Sequence, residues 1–311
     1  MRWRRVALAA VVACFSSVGQ VFAEAKIVTP ESSRARAASA ASGRHFLWRV
    51  QSPTGAHGYV IGSIHMLDSS IYPLDAVFEQ SFDECDVMAL EADVFGGDPM
   101  GMLATMMERA MYPEGQTLQS QLTPRDYQEV SQALAQLDLP IEMLQGMRPW
   151  FLTMLVVQTM AMKFGLQPEL GIDHHFYQKA SGRMEVVELE SVEMQIGILS
   201  KLTDHQGVLL LADSVDDFKS IDDFHAMVDL WRRGDTASMA NEVEKDARQR
   251  PELKALDEAL LRGRNPGMTS GIERLLAAGR TPFVIVGAAH LVGERGVLQL
   301  LEQRGYHVEQ L

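Results

Sequence analysis

The chain has 311 residues and a formal net charge of −13, and hydrophobic residues make up 47 % of it. This is the composition of an ordinary globular protein, which excludes a disordered, collagen-like or low-complexity chain. The excess of acid also argues against nucleic acid or an anionic membrane surface as a partner, because both require a positive face on the protein.

Residues 1–23 have the pattern of a secretory signal. Arg2, Arg4 and Arg5 precede an apolar run, and Ala23 ends a pattern suited to signal peptidase. The apolar run is too short to predict a transmembrane span. We therefore expect an exported protein, periplasmic or secreted, in which residues 24–43 form a flexible leader rich in Ala, Ser and Arg.

The chain has two cysteines, and the first of them allows an alternative to simple secretion. Cys14 follows Val-Val-Ala and resembles a lipoprotein box, so the alternative to simple secretion is a lipid anchor at this residue. Only Cys85 then stays unmodified, and we predict no internal disulfide. Because no cationic neighbour stands beside it, we predict that Cys85 is a buried structural thiol rather than a nucleophile.

Six short runs of β-branched and aromatic residues are typical of strands. They are residues 46–50, 58–65, 86–91, 185–190, 282–287 and 306–309. The turn at 52–55 predicts that the first two form a hairpin. The run 282–287 is apolar throughout, which predicts a strand buried on both faces.

Helical patterns occupy most of the remaining chain. They are residues 74–81, 100–111, 124–137, 149–164, 173–180, 191–202, 215–233, 236–248, 253–262, 268–278 and 296–304. The most apolar, 149–164, is shorter than a bilayer span and is predicted to be a core helix. Residues 44–311 are thus predicted to form a single α/β domain, a central mixed sheet flanked by helices, with a helical insertion or cap.

A Gly-x-x-His pattern follows two of the predicted strands. One is Gly62 to His65 and the other is Gly287 to His290. Ligands of α/β sheets bind beyond the carboxyl ends of the strands, and glycine there lets the backbone approach a ligand closely. Imidazole is both the commonest metal ligand and the commonest general base. The repeated pattern therefore predicts that the two histidines converge on one site.

Two carboxylates follow the other internal strands. Glu91 comes directly after the apolar run 87–90, and Glu190 comes directly after the run 186–189. A carboxylate at the tip of a buried strand must be paired, hydrogen-bonded or metal-bound. Two histidines and a carboxylate are a ligand set suited to a divalent metal with an open position for water. For Glu190, which precedes a helix, helix capping is the alternative.

Other polar residues near the predicted strands have structural alternatives. Arg148 begins the most apolar helix, so we expect it to pair with a site carboxylate or to stabilise an oxyanion. Asp173 is predicted to cap a helix. Arg264 is predicted to be architectural, although it could reach the cleft. His174 and His175 point in different directions on a helix, so joint chelation is not expected.

Taken in order, these motifs resemble the TraB/GumN (PrgY/TraB/GumN, Tiki-like) family from about Phe46 to the C-terminus. The motifs are Leu47-Trp48, Gly62-Ser63-Ile64-His65, Leu90-Glu91, Arg148-Pro149-Trp150, Gly171-Ile172-Asp173, Leu189-Glu190-Ser191 with Gln195, Arg264-Asn265 and Val286 to Gly293. The resemblance implies a fold similar to those of erythromycin esterase and ChaN-like proteins. It also implies a divalent-metal site formed by His65, Glu91 and His290, with manganese or cobalt as the metal; zinc would suit such ligands generally.

The resemblance to the Tiki-like branch favours a metal-dependent hydrolase that acts on peptide or protein substrates. Glu91 or Glu190 would then take a proton from the attacking water, and Arg148 would assist. The alternative is a non-catalytic envelope protein that binds a peptide or a haem-like ligand in the same cleft.

Overall fold

The computed structural model describes residues 43–217 and 220–311. The expected signal at 1–23, almost all of the expected leader and Cys14 lie outside the described residues. Six strands form one sheet: β1 (Leu47–Gln51), β2 (His57–Ser63), β3 (Val87–Leu90), β4 (Glu185–Glu188), β5 (Pro282–Gly287) and β6 (His307–Gln310). Every predicted strand is present, with bounds shifted by at most a few residues.

Most of the described helices lie before β4 or between β4 and β5. The first group is α1 (Ala76–Asp83), α2 (Pro99–Ala110), α3 (Leu118–Gln121), α4 (Pro124–Ala135), α5 (Pro149–Lys163) and α6 (Ile172–Ala180). The second is α7 (Val192–Ser200), α8 (Asp204–Asp217), α9 (Ile221–Arg232), α10 (Thr236–Gln249), α11 (Lys254–Asp257) and α12 (Asn265–Ala277). After β5 come α13 (Ala288–Leu291) and α14 (Val297–Gln303).

The strand order is β4-β3-β5-β2-β1-β6. The four strands β4, β3, β5 and β2 are mutually parallel, whereas β1 pairs antiparallel with both β2 and β6. The sheet is therefore mixed, and the α/β prediction is confirmed. Because the parallel strands share one direction, their carboxyl ends lie along the same edge, as the prediction of a shared site requires.

Burial explains which strands are central. Every residue of β3 and β5 is buried, whereas β4 and β6, the two outer strands, contain only half-buried and exposed residues. The continuous apolar sequence of β5 is thus accounted for by helices on both faces of the sheet.

Helix α5 is the apolar segment that was predicted to be a core helix. Ten of its fifteen residues are buried, and α8 packs along it. Within the described ranges, none of the helices has both the length and the apolar character needed to cross a bilayer.

Two helix predictions need correction. The predicted helix 215–233 is in fact two helices, α8 and α9, and α8 begins at Asp204. Gly207 lies inside α8, where a Cβ would meet the backbone nitrogen of Trp150 at 2.8 Å. This glycine serves close helix packing, which periodicity in one segment cannot show. The predicted helix 253–262 is also divided, and its second half, Glu258–Arg262, is a π-helix.

Candidate active site at the carboxyl ends of the parallel strands

The structure places the four residues predicted at strand ends along one edge of the sheet. His65 follows β2, Glu91 follows β3, Glu190 follows β4, and His290 lies in α13 directly after β5. All four side chains are buried, and His290 is completely so. Since the strand order is β4-β3-β5-β2, Glu190 and Glu91 lie on neighbouring strand ends, and the two histidines follow β5 and β2.

Gly287 is the point around which three of these side chains meet. A Cβ placed on this glycine would lie 3.3 Å from Glu91 Oε2, 3.4 Å from His290 Cδ2 and 3.5 Å from His65 Nε2. The backbone N–H of Gly287 also donates to Glu91 Oε2 at 2.9 Å. The glycine therefore gives the three side chains room to approach one another, as its predicted role in the cleft implies.

Each histidine is oriented through its Nδ1 atom. His65 Nδ1 lies 3.0 Å from Asp173 Oδ2, and Ser63 Oγ donates to the other oxygen of that carboxylate. Because a carboxylate only accepts, His65 Nδ1 carries the proton of this bond. In the neutral ring the Nε2 lone pair is then free.

His290 is oriented in the same way by an amide. Its Nδ1 lies 2.6 Å from Asn265 Oδ1, while Asn265 Nδ2 donates to the carbonyl of Arg295. Because Asn265 Nδ2 donates to Arg295, the Asn265 atom that faces His290 is the amide oxygen, which can only accept. His290 Nδ1 is therefore the donor, as in His65. The Nε2 atoms of His65 and His290 are both buried without a hydrogen-bond partner among the described residues.

Arg264 joins the two carboxylates. Its Nη2 donates to Glu91 Oε1 at 2.5 Å and to Glu190 Oε2 at 2.6 Å, and its Nε also donates to Glu190. Gln195 Nε2 donates to Glu91 Oε1 at 3.0 Å. Glu190 Oε1, by contrast, is buried with no partner in the described part of the chain.

The electrostatic environment separates the two carboxylates. Burial alone would raise the pKa of Glu91, but the charge of Arg264, the two histidines and the Gly287 N–H together lower that pKa to about 2. Burial raises the pKa of Glu190, and the Glu91 charge adds to it against the opposing effect of Arg264. Glu91 is therefore a fixed anion, and Glu190 is the carboxylate better suited to accept a proton.

The two histidines also differ. Burial lowers the pKa of His290 to about 3, so this imidazole is neutral at ordinary pH. Burial acts in the same direction on His65, but the Asp173 carboxylate outweighs it and raises the pKa of His65 above its usual value. A neutral imidazole whose Nδ1–H is held by an oxygen acceptor is the form that ligates metals.

Several alternative interpretations are wrong. Asp173 does not cap a helix, because α6 has Gly171 at its N-cap and the Asp173 side chain binds Ser63 and His65. Glu190 does not cap α7 either, because Ser191 Oγ accepts from the Met194 N–H. Arg264, which was expected to be architectural but able to reach the cleft, does reach it and contacts both site carboxylates.

Arg148 was predicted to pair with a site carboxylate, and the structure places it elsewhere. Its guanidinium lies 3.6 Å from Asp204 and packs over the ring of Tyr112. Arg148 immediately precedes α5, and α8 packs along α5. Its acidic partner, Asp204, is the first residue of α8. Arg264 makes the carboxylate contacts that were expected of Arg148.

Gly62 was predicted to let the backbone approach a ligand, and this stays a prediction. In the structure it packs against the Phe46 ring, where a Cβ would approach Cδ1 at 2.5 Å. The predictions for His174, His175 and Cys85 agree with the structure. His174 and His175 have separate partners, the Glu169 carbonyl and the Glu79 carboxylate. Cys85 is buried.

The donor set fits a divalent cation in its chemistry. Two buried imidazole Nε2 atoms without partners face an ionised carboxylate, and His290 Nε2 is 3.7 Å from Glu91 Oε1. Yet no group of three or more His, Cys, Asp or Glu side chains among the described residues is arranged so that it could hold an ion. Arg264 already occupies one oxygen of each site carboxylate.

Comparison with known proteins identifies relatives over nearly the whole described chain. A sequence model of the TraB/PrgY/gumN family matches residues 46–310. The uncharacterized protein YbaP of Shigella flexneri and that of Escherichia coli K12 are each 27 % identical over 269 residues, which cover 85 % of this chain and 96 % of each relative. No solved structure matches, so the expected likeness to erythromycin esterase and ChaN-like folds stays a prediction.

Proposed function

Because this chain belongs to the TraB/PrgY/gumN family, we propose that it is a divalent-metal-dependent hydrolase that acts on peptide bonds. One observation carries the proposal: the Nε2 atoms of His65 and His290 are buried, have no hydrogen-bond partner among the described residues, and belong to rings gathered with Glu91 around Gly287. A buried nitrogen without a partner costs free energy, and a ligand that accepts its lone pair would remove that cost.

In this proposal His65, His290 and Glu91 would hold the metal, which would be manganese, cobalt or zinc. A bound divalent cation supplies Lewis acidity and lowers the pKa of a water molecule. Asp173 and Asn265 keep both imidazoles in the tautomer that offers Nε2, and the Gly287 N–H fixes the Glu91 carboxylate.

Glu190 is the proposed general base. Its Oε1 has no hydrogen-bond partner in the described part of the chain. It would take the proton as the water oxygen bonds to the peptide carbonyl carbon, and return it to the amine nitrogen when the C–N bond breaks. Arg264 holds the other oxygen of Glu190 and offsets part of the charge of the two carboxylates.

A non-catalytic binding protein is the second candidate, and a specific observation favours it. Arg264 pairs with both Glu91 and Glu190 and offsets part of their charge, and the described residues contain no group of side chains arranged to hold a metal. In that case the same edge of the sheet would bind a peptide or a haem-like ligand without cleaving it.

Hydrolysis of a fluorogenic peptide library separates the two candidates. Metal-free protein is assayed before and after addition of Mn²⁺, Co²⁺ or Zn²⁺, together with Glu190→Gln and, as a control, Glu142→Gln at an exposed site. We expect metal-dependent cleavage that Glu190→Gln reduces by about 10²–10⁴-fold, as loss of a general base does. Absence of cleavage with every metal would leave only the binding function.

We also propose that the protein is exported, periplasmic or secreted, on the strength of the arginines and the apolar run in residues 1–23. N-terminal sequencing of the protein from a bacterial envelope fraction tests this. A start at Glu24 supports simple secretion, a lipidated Cys14 supports the anchor, and an intact Met1 would contradict export.

A further inference from the structure

A groove beside β4 adjoins the candidate site. It is a cavity of about 580 Å³, bounded by β4 on one side and by the beginnings of α2 and α7 on the other. Val186, Val187 and Met102 provide apolar walls. The groove therefore lies along the outer strand of the sheet.

The outer edge of β4 is open to further pairing. β4 is the last strand of the sheet, and β3 is its one neighbour in the part of the chain that the structure describes. Leu189 N donates to Leu90 O across the β3 side. Since backbone groups alternate along a strand, those of Val186 and Glu188 face the open edge.

The groove carries charge of a single sign. Four carboxylates line it, Asp93, Asp98, Glu188 and Glu193, and no Lys, Arg or His is among its lining residues. None of the four forms an ion pair within the described ranges. A cationic group in the groove would therefore meet carboxylates that have no positive partner.

Residues that line the groove are close in sequence to residues of the candidate site. Glu188 is two residues before Glu190, and Asp93 is two residues after Glu91. Two residues of extended strand span about 7 Å. A chain lying along β4 would thus reach the site carboxylates within a few residues of the groove.

We propose that the groove binds an extended peptide as an additional strand on β4 and selects basic side chains. The main chain of the peptide would bond to the free backbone groups of Val186 and Glu188, and its Lys or Arg side chains would face the four carboxylates. This deepens the proposed function, on which it rests, by naming the substrate class as extended cationic peptides.

Peptide binding is measured by fluorescence anisotropy in EDTA, so that cleavage cannot interfere. The probes are a fluorescein-labelled octapeptide of alternating threonine and lysine, the same peptide with glutamate for lysine, and the lysine peptide with all backbone amides N-methylated. We expect the lysine peptide to bind at least tenfold more tightly than either of the others, because only it offers both strand pairing and positive charge.

Protein variants place the binding in the groove. Glu188→Gln combined with Glu193→Gln should weaken the lysine peptide about fivefold, the effect of two partly exposed charge pairs. Glu142→Gln, on the short helix Ile141–Leu144, removes an exposed charge outside the groove and should change nothing.

Three results would overturn this inference: equal binding of the lysine and glutamate peptides, binding unaffected by N-methylation, and a wild-type affinity in the double variant. Each would leave the proposed function intact, since that depends on cleavage in the presence of metal. If the lysine peptide binds as expected but no metal supports cleavage, the proposed hydrolase is wrong and the peptide-binding groove stands.

Discussion

Arg264 is the residue on which both site carboxylates depend. It is buried, and among the described residues it is the one Arg or Lys within ion-pair distance of either Glu91 or Glu190. Two buried carboxylates next to each other repel, and removing the guanidinium would leave both without compensation. The cluster is therefore expected to make a large contribution to stability as well as to function.

Arg264→Ala should lower the free energy of unfolding by about 3–5 kcal/mol, the cost of leaving a buried charge unpaired. Urea denaturation measures it. Arg280→Ala is the matched control, because Arg280 also bridges two carboxylates, Asp86 and Glu185, but at the surface. Comparable losses for the two variants would show that Arg264 is not a buried compensating charge.

Cys85 allows a second test of burial at a single residue. Burial raises the pKa of its thiol, and the neighbouring Glu84 and Asp86 add to the effect. In a Cys14→Ser background we expect no reaction with Ellman's reagent at pH 8 in the native state and one thiol per chain in 6 M guanidinium chloride. A rapid reaction of the native protein would contradict the structural role.

At the scale of elements, the site depends on strand ends and the residues that immediately follow them. The sequence predicted this part because each of His65, Glu91, Glu190 and His290 directly follows an apolar run that must be a strand. Parallel pairing then brings the ends together.

Residues contributed by helices could not be assigned in the same way. Asp173, Gln195 and Arg264 were visible as parts of motifs, but each has a partner in the site that is 74 or more residues away in sequence. Asn265 binds His290 from 25 residues away. Local patterns assign such residues to caps and loops, because a cap is the nearest use for a polar side chain. The same limit led to the wrong expectation for Arg148.

The glycines of the two Gly-x-x-His elements should respond differently to alanine. Gly62→Ala would drive a Cβ into the Phe46 ring and lower the free energy of unfolding by about 1–3 kcal/mol. Gly287→Ala meets its neighbours at 3.3–3.5 Å and should fold, but should weaken metal binding at least about tenfold by crowding the ligands. Denaturation and metal titration of both variants check this, and unchanged metal affinity in Gly287→Ala would contradict the proposed centre.

At the scale of the whole molecule, the helices cover a sheet whose polar edge is almost completely enclosed. The chain carries a formal charge of −13, but among the described residues few of its acids, Glu91, Glu190 and Asp173, are buried together with the two histidines at this edge. The overall acidity is thus compatible with a metal site without being an argument for one.

Binding of a metal to the native state alone should stabilise the entire domain. A free metal concentration one hundred times the dissociation constant adds about 2.7 kcal/mol to the free energy of unfolding. We expect the melting temperature of the wild-type protein to rise with Mn²⁺, Co²⁺ or Zn²⁺ and to return to its original value with EDTA. An unchanged melting temperature at saturating concentrations of all three would argue for the binding protein without metal.

Isothermal titration calorimetry of the metal-free protein with Mn²⁺, Co²⁺ and Zn²⁺ tests the central claim most directly. Wild-type protein is compared with His65→Ala, His290→Ala and, as a control, His174→Ala, whose ring binds the Glu169 carbonyl outside the cluster. We predict one ion per chain for the wild type and for His174→Ala, and at least a hundredfold weaker binding for the two site variants. No binding by the wild type, or equal binding by all four proteins, would contradict the metal site.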